Sequence, residues 1–139
     1  MYEIVYTSLA TRDFTQDELT ALLDHARRAN QARGITGMMI YRKREFLQLL
    51  EGEQAVVQAL YERIALDERH HQMAKIWDGP LTTRSFDGWE MAFVAPGDDS
   101  LQSHPGYRDL MERGLIAASG DSTGKKLLLS LRDDFLGGR

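Results

Sequence analysis

"GITGMMIYRKREFLQLLEG", residues 34–52, decides how the chain is read. Within it, "ITGMMIY" (35–41) and "EFLQLLE" (45–51) are two apolar runs separated by the charged "RKR". They predict two strands of an antiparallel hairpin that ends at Gly52. In the second run Phe46, Leu47, Leu49 and Leu50 surround Gln48, the pattern of a strand covered on both faces. Burying an amide without partners costs about 1–3 kcal/mol, so Gln48 needs a specific neighbour.

Upstream, "YEIVYTS" (2–8) alternates as a strand, with Tyr2, Ile4 and Tyr6 on one face and Glu3, Val5 and Thr7 on the other. "DFTQDEL" carries a helix start: Thr15 as N-cap, Glu18 as its reciprocal cap, and Phe14 placed to staple against Leu19. The helix runs to about Arg33. Its stripe is Leu19, Leu22, Leu23 and Ala26, and the same spacing lands on Asn30, a second inward amide. Downstream, Val57, Leu60, Tyr61 and Ile64 mark a second amphipathic helix from Glu53 to about Asp67. "HHQMAKIWDG" and "GWEMAFV" read as two more strands, the latter with Trp89, Met91 and Phe93 on one face.

The order βαββαββ predicts an α+β, ferredoxin-like fold: a mixed sheet with two helices on one face. "APGDDS" (95–100) is a linker by composition, followed by two helices at about 104–118 and 123–136, the second with Leu128, Leu131 and Phe135 at helical spacing. The expected division is a sheet domain over 1–95 and, over 96–139, a linker and helices that cover the second face or bind a partner.

With 139 residues, 42% of them hydrophobic, the chain suits one globular domain with a proper core. Seventeen basic against 21 acidic side chains, the basic ones scattered, argue against nucleic acid as a partner. The absence of cysteine removes disulfides, thiolate nucleophiles and thiolate metal sites, and suits a reducing cytoplasm. "MYEIVYTSLA" lacks a signal-peptide pattern and "LLLSL" is too short to span a bilayer, so a soluble, cytoplasmic protein is expected and no membrane partner.

Three polar groups, Tyr6, Asn30 and Gln48, fall on inward faces of three elements and could converge. Each alone has an ordinary reading, a buried side chain satisfied by a nearby backbone group. Trp89 and Met91 are by the same measure core residues. His70 and His71, being adjacent, point to opposite faces of a strand, which argues against a metal site. "GDSTGKK" (120–126) imitates a phosphate loop but has the wrong spacing, no hydroxyl residue after Lys125 and a preceding helix instead of a strand. No nucleophile and base pair follows from spacing.

Residues 1–95 resemble the BLUF domain, a flavin-based blue-light photoreceptor module, through "IVYTS", "ARRANQARGITGMMIY", "FLQLLEGE", "DERH" and "FDGWEMAF". The resemblance implies a noncovalently held flavin, usually FAD, with FMN or riboflavin as other candidates, its ring between the two helices. It makes Tyr6 the electron-donating tyrosine, Gln48 the switching glutamine between that tyrosine and the flavin, and Asn30 the asparagine at the ring's polar edge. Leu22, Met39, Phe46 and Ile64 fall on positions that wall the ring, and Asp67, Arg69 and His70 on positions around its edge. Met91 and Trp89 match the pair that carries the signal, and Met91 also falls on a cofactor-binding position. Ala29 departs from the family, where a polar residue often precedes the asparagine, and "RKR" lacks the glycine common in that turn. The resemblance implies a photoreceptor without catalytic turnover that signals to a separate effector protein and self-associates. The rival readings are a small flavin-dependent enzyme and a ligand-binding or interaction module that is not photoactive.

Overall fold

The computed structural model of the chain describes residues 1–42, 44–85, 92–94, 123, 124, 126–128 and 131. The elements follow the expected order: β1 (Tyr2–Ala10), α1 (Gln16–Arg33), β2 (Thr36–Arg42), β3 (Glu45–Gly52), α2 (Gln54–Ala65), β4 (His70–Pro80) and β5 (Ala92–Val94). The strands form one sheet in the order β4-β1-β3-β2-β5. Each neighbouring pair among the first four is antiparallel and β5 lies parallel to β2, so the sheet is mixed, as expected. Of the strand read over "GWEMAFV", only Ala92–Val94 is described; Trp89 and Met91, the linker 95–100 and the helix expected at about 104–118 lie outside the described residues.

Local chemistry accounts for the elements that frame the site. Thr15 Oγ1 accepts from the Glu18 amide at 3.2 Å and Glu18 Oε1 accepts from the Thr15 amide at 2.9 Å, which is the expected capping box of α1. Arg12, hydrogen-bonded to the Glu18 carboxylate, is the main cause that holds that group's pKa at about 2. At the other end Gly34, at φ 68°, closes α1 in the left-handed conformation and donates its amide to the carbonyls of Asn30 and Gln31. Across the β2–β3 hairpin Arg42 pairs with Glu45, leaving a two-residue turn in which Arg44 takes φ 71° where glycine is the common choice. Arg44 is tied there by Ala10, whose amide donates to its carbonyl at 2.7 Å and whose carbonyl accepts from Nη2 at 2.9 Å. Gly37 sits where a Cβ would collide with the carbonyl oxygen of Leu49, so this close approach of β2 to β3 admits no side chain.

Both faces of the sheet are covered. Ile4, Tyr6, Ala10, Met39, Phe46 and Leu50 form one core with Leu19 and Leu23 of α1 and Val57 of α2. On the opposite face Val5, Met38, Ile40, Leu47 and Leu49 are buried, and so is Leu128 of the C-terminal helical stretch. Gly124 donates its amide to Glu3 Oε2 at 2.9 Å, which places that stretch on the second face. Edge strand β4 is irregular: Val5 pairs with Trp77 and Tyr6 with Lys75, so Ile76 is the extra residue of a bulge beside Tyr6. Among the described residues no helix is long and apolar enough to cross a membrane.

Candidate functional site

Three strands bring three side chains to one level of the sheet. Tyr6 is the register partner of Gln48, and Gln48 of Met39. They share the face that α1 and α2 cover, with exposures of 1% for Tyr6, 5% for Gln48 and 4% for Met39. The Tyr6 hydroxyl donates to Gln48 Oε1, so the amide in the middle of the apolar run has its partner on the neighbouring strand. Burial, and to a smaller extent the nearby Tyr61 hydroxyl, pushes the Tyr6 phenol far above its ordinary range. Tyr6 is therefore a neutral proton donor at any ordinary pH. The Tyr61 ring meets it edge-on, 5.3 Å between centroids.

Above this floor lies a cavity of ≈ 190 Å³ between the two helices and the sheet. It is lined by Tyr6, Met39, Phe46 and Gln48 from the strands, Leu22 and Asn30 from α1, Ile64 from α2, Asp67 and Arg69 from the α2–β4 connection, and His70 at the start of β4. Ten of the eleven residues expected around a cofactor thus meet in one cavity; the eleventh, Met91, lies outside the described residues. Asn30 is buried, and its carbonyl, accepting from the Ile35 amide at 2.8 Å, helps turn the chain from α1 into β2.

The rim is an ordered loop. Asp67 accepts from the Arg69 amide at 2.9 Å and from its guanidinium at 2.5 to 3.0 Å, and chiefly for that reason its carboxyl titrates below the usual carboxylate range. His70 Nε2 donates to the Ile64 carbonyl at 2.5 Å, since a carbonyl only accepts. The cavity is also lined by His25, Arg33 and Arg63, which the sequence reading did not single out. His25 follows Leu22 by three residues on the same helical stripe, and both arginines stand in the last turns of their helices, signals equally consistent with solvated positions. Ala29 lines the cavity with a methyl group only, so that position supplies no polar contact.

Apolar walls from Leu22 and Ile64, an aromatic at Phe46 and a floor offering both hydrogen-bond donors and acceptors suit a planar heteroaromatic ring with one polar edge. A flavin ring has that chemistry, and the residues present fit it. Among the described residues no three His, Asp or Glu side chains are grouped as metal ligands would be.

Comparison with known proteins agrees with this chemistry. The family described as sensors of blue-light using FAD matches residues 1–92. The photoactivated adenylate cyclase subunit beta of Euglena gracilis is 30% identical over 110 residues, which cover 79% of this chain and 13% of the cyclase. The chain thus spans only about an eighth of the length of that relative. Among solved structures, Klebsiella pneumoniae BlrP1 with FMN and cyclic diGMP superposes with a TM-score of 0.75 at 24% identity, covering 96% of this chain and 35% of that one. BlrB, a BLUF protein in its dark state, gives 0.68 at 22% identity over 99% of this chain and 96% of that one, a likeness of fold. With residues 1–92 matched and the cavity formed by the residues that the resemblance names, the chain belongs to the BLUF family of blue-light sensors.

Proposed function

We propose that this chain is a blue-light photoreceptor that holds a flavin in the cavity between α1 and α2 and signals without catalytic turnover. The observation that carries the proposal is the buried hydrogen bond from Tyr6 to Gln48 Oε1 in the floor of that cavity. Bound there, a flavin supplies absorption of blue light and an excited state that accepts an electron. Tyr6 is the donor: its phenol, kept neutral by burial, has both an electron and a proton to give, and its proton already points at Gln48. Gln48 offers a carbonyl acceptor and an NH₂ donor on one short side chain, so its rotation or tautomerisation exchanges what it presents to Tyr6 and to the cavity. Asn30 and the Asp67–Arg69–His70 rim would hold the ring's polar edge, and Leu22, Met39, Phe46 and Ile64 would exclude water around it.

FAD is the flavin proposed. Two observations favour a phosphate-bearing flavin over riboflavin: Arg33 and Arg63 line the cavity, and neither forms an ion pair among the described residues. BlrP1, similar in fold, is recorded with FMN. Residues 1–95 form the sensory unit in this reading and 96–139 its output segment, with Trp89 and Met91 as the relay that the family resemblance assigns. The output is taken up by a separate effector protein in the cytoplasm, and the photoreceptor self-associates.

The test is the visible absorption spectrum of the purified protein before and after a blue flash, with recovery followed in the dark. A bound-flavin spectrum that moves reversibly to the red is expected. A flavin spectrum that only bleaches, or oxidation of a nicotinamide at catalytic rate, would replace the proposal by the flavoenzyme reading. A protein that stays colourless when flavin is supplied would leave a binding module without photochemistry.

A further inference from the structure

The two strands that carry Tyr6 and Gln48 carry a second matched pair. Three residues along each strand, on the opposite face, stand Glu3 and Glu51, which are register partners just as Tyr6 and Gln48 are. Both glutamates are buried, with exposures of 1% and 0%. Buried carboxylates are uncommon and costly unless their oxygens are used. Glu51 Oε1 accepts from Thr36 Oγ1 at 2.9 Å and Oε2 from the Ser85 amide at 2.9 Å. Arg84, next to Ser85, reinforces that tie by donating to the Glu51 carbonyl at 3.2 Å and to the Gly34 carbonyl at 2.6 Å. Glu3 Oε2 accepts from the Trp77 indole at 3.1 Å and from the Gly124 amide at 2.9 Å. Its other oxygen, Oε1, is buried without a hydrogen-bond partner among the described residues, and a Cβ on residue 124 would stand 2.5 Å from it. The carboxylate and the backbone of residue 124 therefore fit each other with no room for a side chain between them.

We infer that Glu3 and Glu51 are positioning residues of the output: through them β1 and β3 hold, on the back of the sheet, the C-terminal helical stretch and the segment that leads towards residues 86–91. The inference rests on the photoreceptor reading of the opposite face. A shift of β1 against β3 that accompanies rearrangement of the Tyr6–Gln48 pair also moves Glu3 against Glu51, because the same backbone carries both pairs. Glu3 is the weaker holder. Among the described residues its carboxylate keeps two donors on one oxygen and none on the other, so a small displacement loosens the bond to Gly124 first.

The experiment is hydrogen exchange of backbone amides, dark and under blue light, with the flavin absorption recorded on the same samples. For the natural chain, amides at 123–131 should exchange up to about fivefold faster in light, the factor by which one rearranged hydrogen bond shifts a two-state equilibrium. Glu3→Met, which keeps the bulk and removes both acceptors, should show that fast exchange already in the dark and lose the difference between light and dark, with its light-induced red shift intact. Glu3→Gln, which retains a carbonyl acceptor, should restore most of the difference. A merely structural role would accelerate exchange in both states and leave the difference standing, which would overturn the inference. So would exchange in Glu3→Met that matches the natural chain. If Glu3→Met does not fold, Trp77→Phe and Gly124→Ala disturb the same carboxylate from its other two sides, and an unchanged light–dark difference in both would refute the clamp. Failure of the photoreceptor reading appears separately, as a natural chain whose flavin spectrum does not respond to light.

Discussion

Removing the Tyr6–Gln48 hydrogen bond from either side strands a buried polar group, and removing it from both sides at once does not. Tyr6→Phe deletes the hydroxyl that donates to Gln48 Oε1, in surroundings where Tyr6 is 1% exposed. The cost should be about 1–2 kcal/mol, mostly from a buried carbonyl that has lost its donor. Gln48→Leu fills the space but leaves the Tyr6 hydroxyl facing a methyl group, at about 1–3 kcal/mol. Tyr6→Phe/Gln48→Leu takes both partners away, so it should cost less than the sum of the singles by about 1–2 kcal/mol. Urea unfolding at a fixed, saturating flavin concentration measures the four proteins on one scale, since bound ligand raises apparent stability by mass action. All three variants should keep a flavin spectrum and lose the light-induced red shift. Costs that add to within about 0.3 kcal/mol would refute the coupling between these two side chains. A red shift that survives Tyr6→Phe would remove Tyr6 from the photochemistry.

Three further outcomes follow from the same structure. Thr15→Ala removes one half of the capping box of α1 and should lower stability by about 1 kcal/mol in urea, with the flavin spectrum unchanged. Gly37→Ala drives a methyl group into the Leu49 carbonyl and should cost more than about 2 kcal/mol or prevent folding, read as lost soluble yield or a lowered urea midpoint. The Tyr6 phenol is raised by burial in the folded chain, whereas in the unfolded chain it titrates near pH 10, so above about pH 10 the unfolded state releases a proton that the folded state keeps. The stability from a neutral Tyr6 is complete below that pH and should fall by about 1.4 kcal/mol per unit above it, a slope that Tyr6→Phe should flatten in urea midpoints taken from pH 9 to 11.

What the sequence made legible was local. The capping box of Thr15 and Glu18, the period of the stripe that ends at Asn30, and the amide set among leucines at Gln48 are all patterns within a dozen residues, and the structure places each as read. The turn "RKR" was legible as a turn but not in its geometry, because Arg44 adopts a left-handed conformation that its own type does not favour and the bonds to Ala10 hold. The bulge at Ile76 left no mark, since it is a mismatch in count between β4 and β1, visible only once both are paired. Glu3 shows the same limit from the other side. Alternation put it on the face away from Tyr6, where a glutamate is ordinarily solvated, and it is the Trp77 indole and the C-terminal stretch bonded to it that go with its burial.

The scale of the forces decides what kind of output such a site can drive. A rearranged hydrogen bond at Gln48 changes a free energy by about 1 kcal/mol, which shifts a two-state equilibrium about fivefold and cannot unfold an element. That small bias is useful only if the surroundings convert it into movement instead of absorbing it. Beneath the strand that carries Gln48 they are stiff: Leu47 and Leu49 are buried on its opposite face beside Val5 of β1, in a closely packed interior. In the inferred clamp, displacement runs along β1 and β3 to the register pair Glu3 and Glu51. The bond from Gly124 to Glu3 lies there, and its free energy is of the same order as the bias at Gln48. A receptor whose trigger and latch are matched in strength can be thrown by one photon and returned by thermal motion; a much stronger latch would not open, and a much weaker one would not hold in the dark.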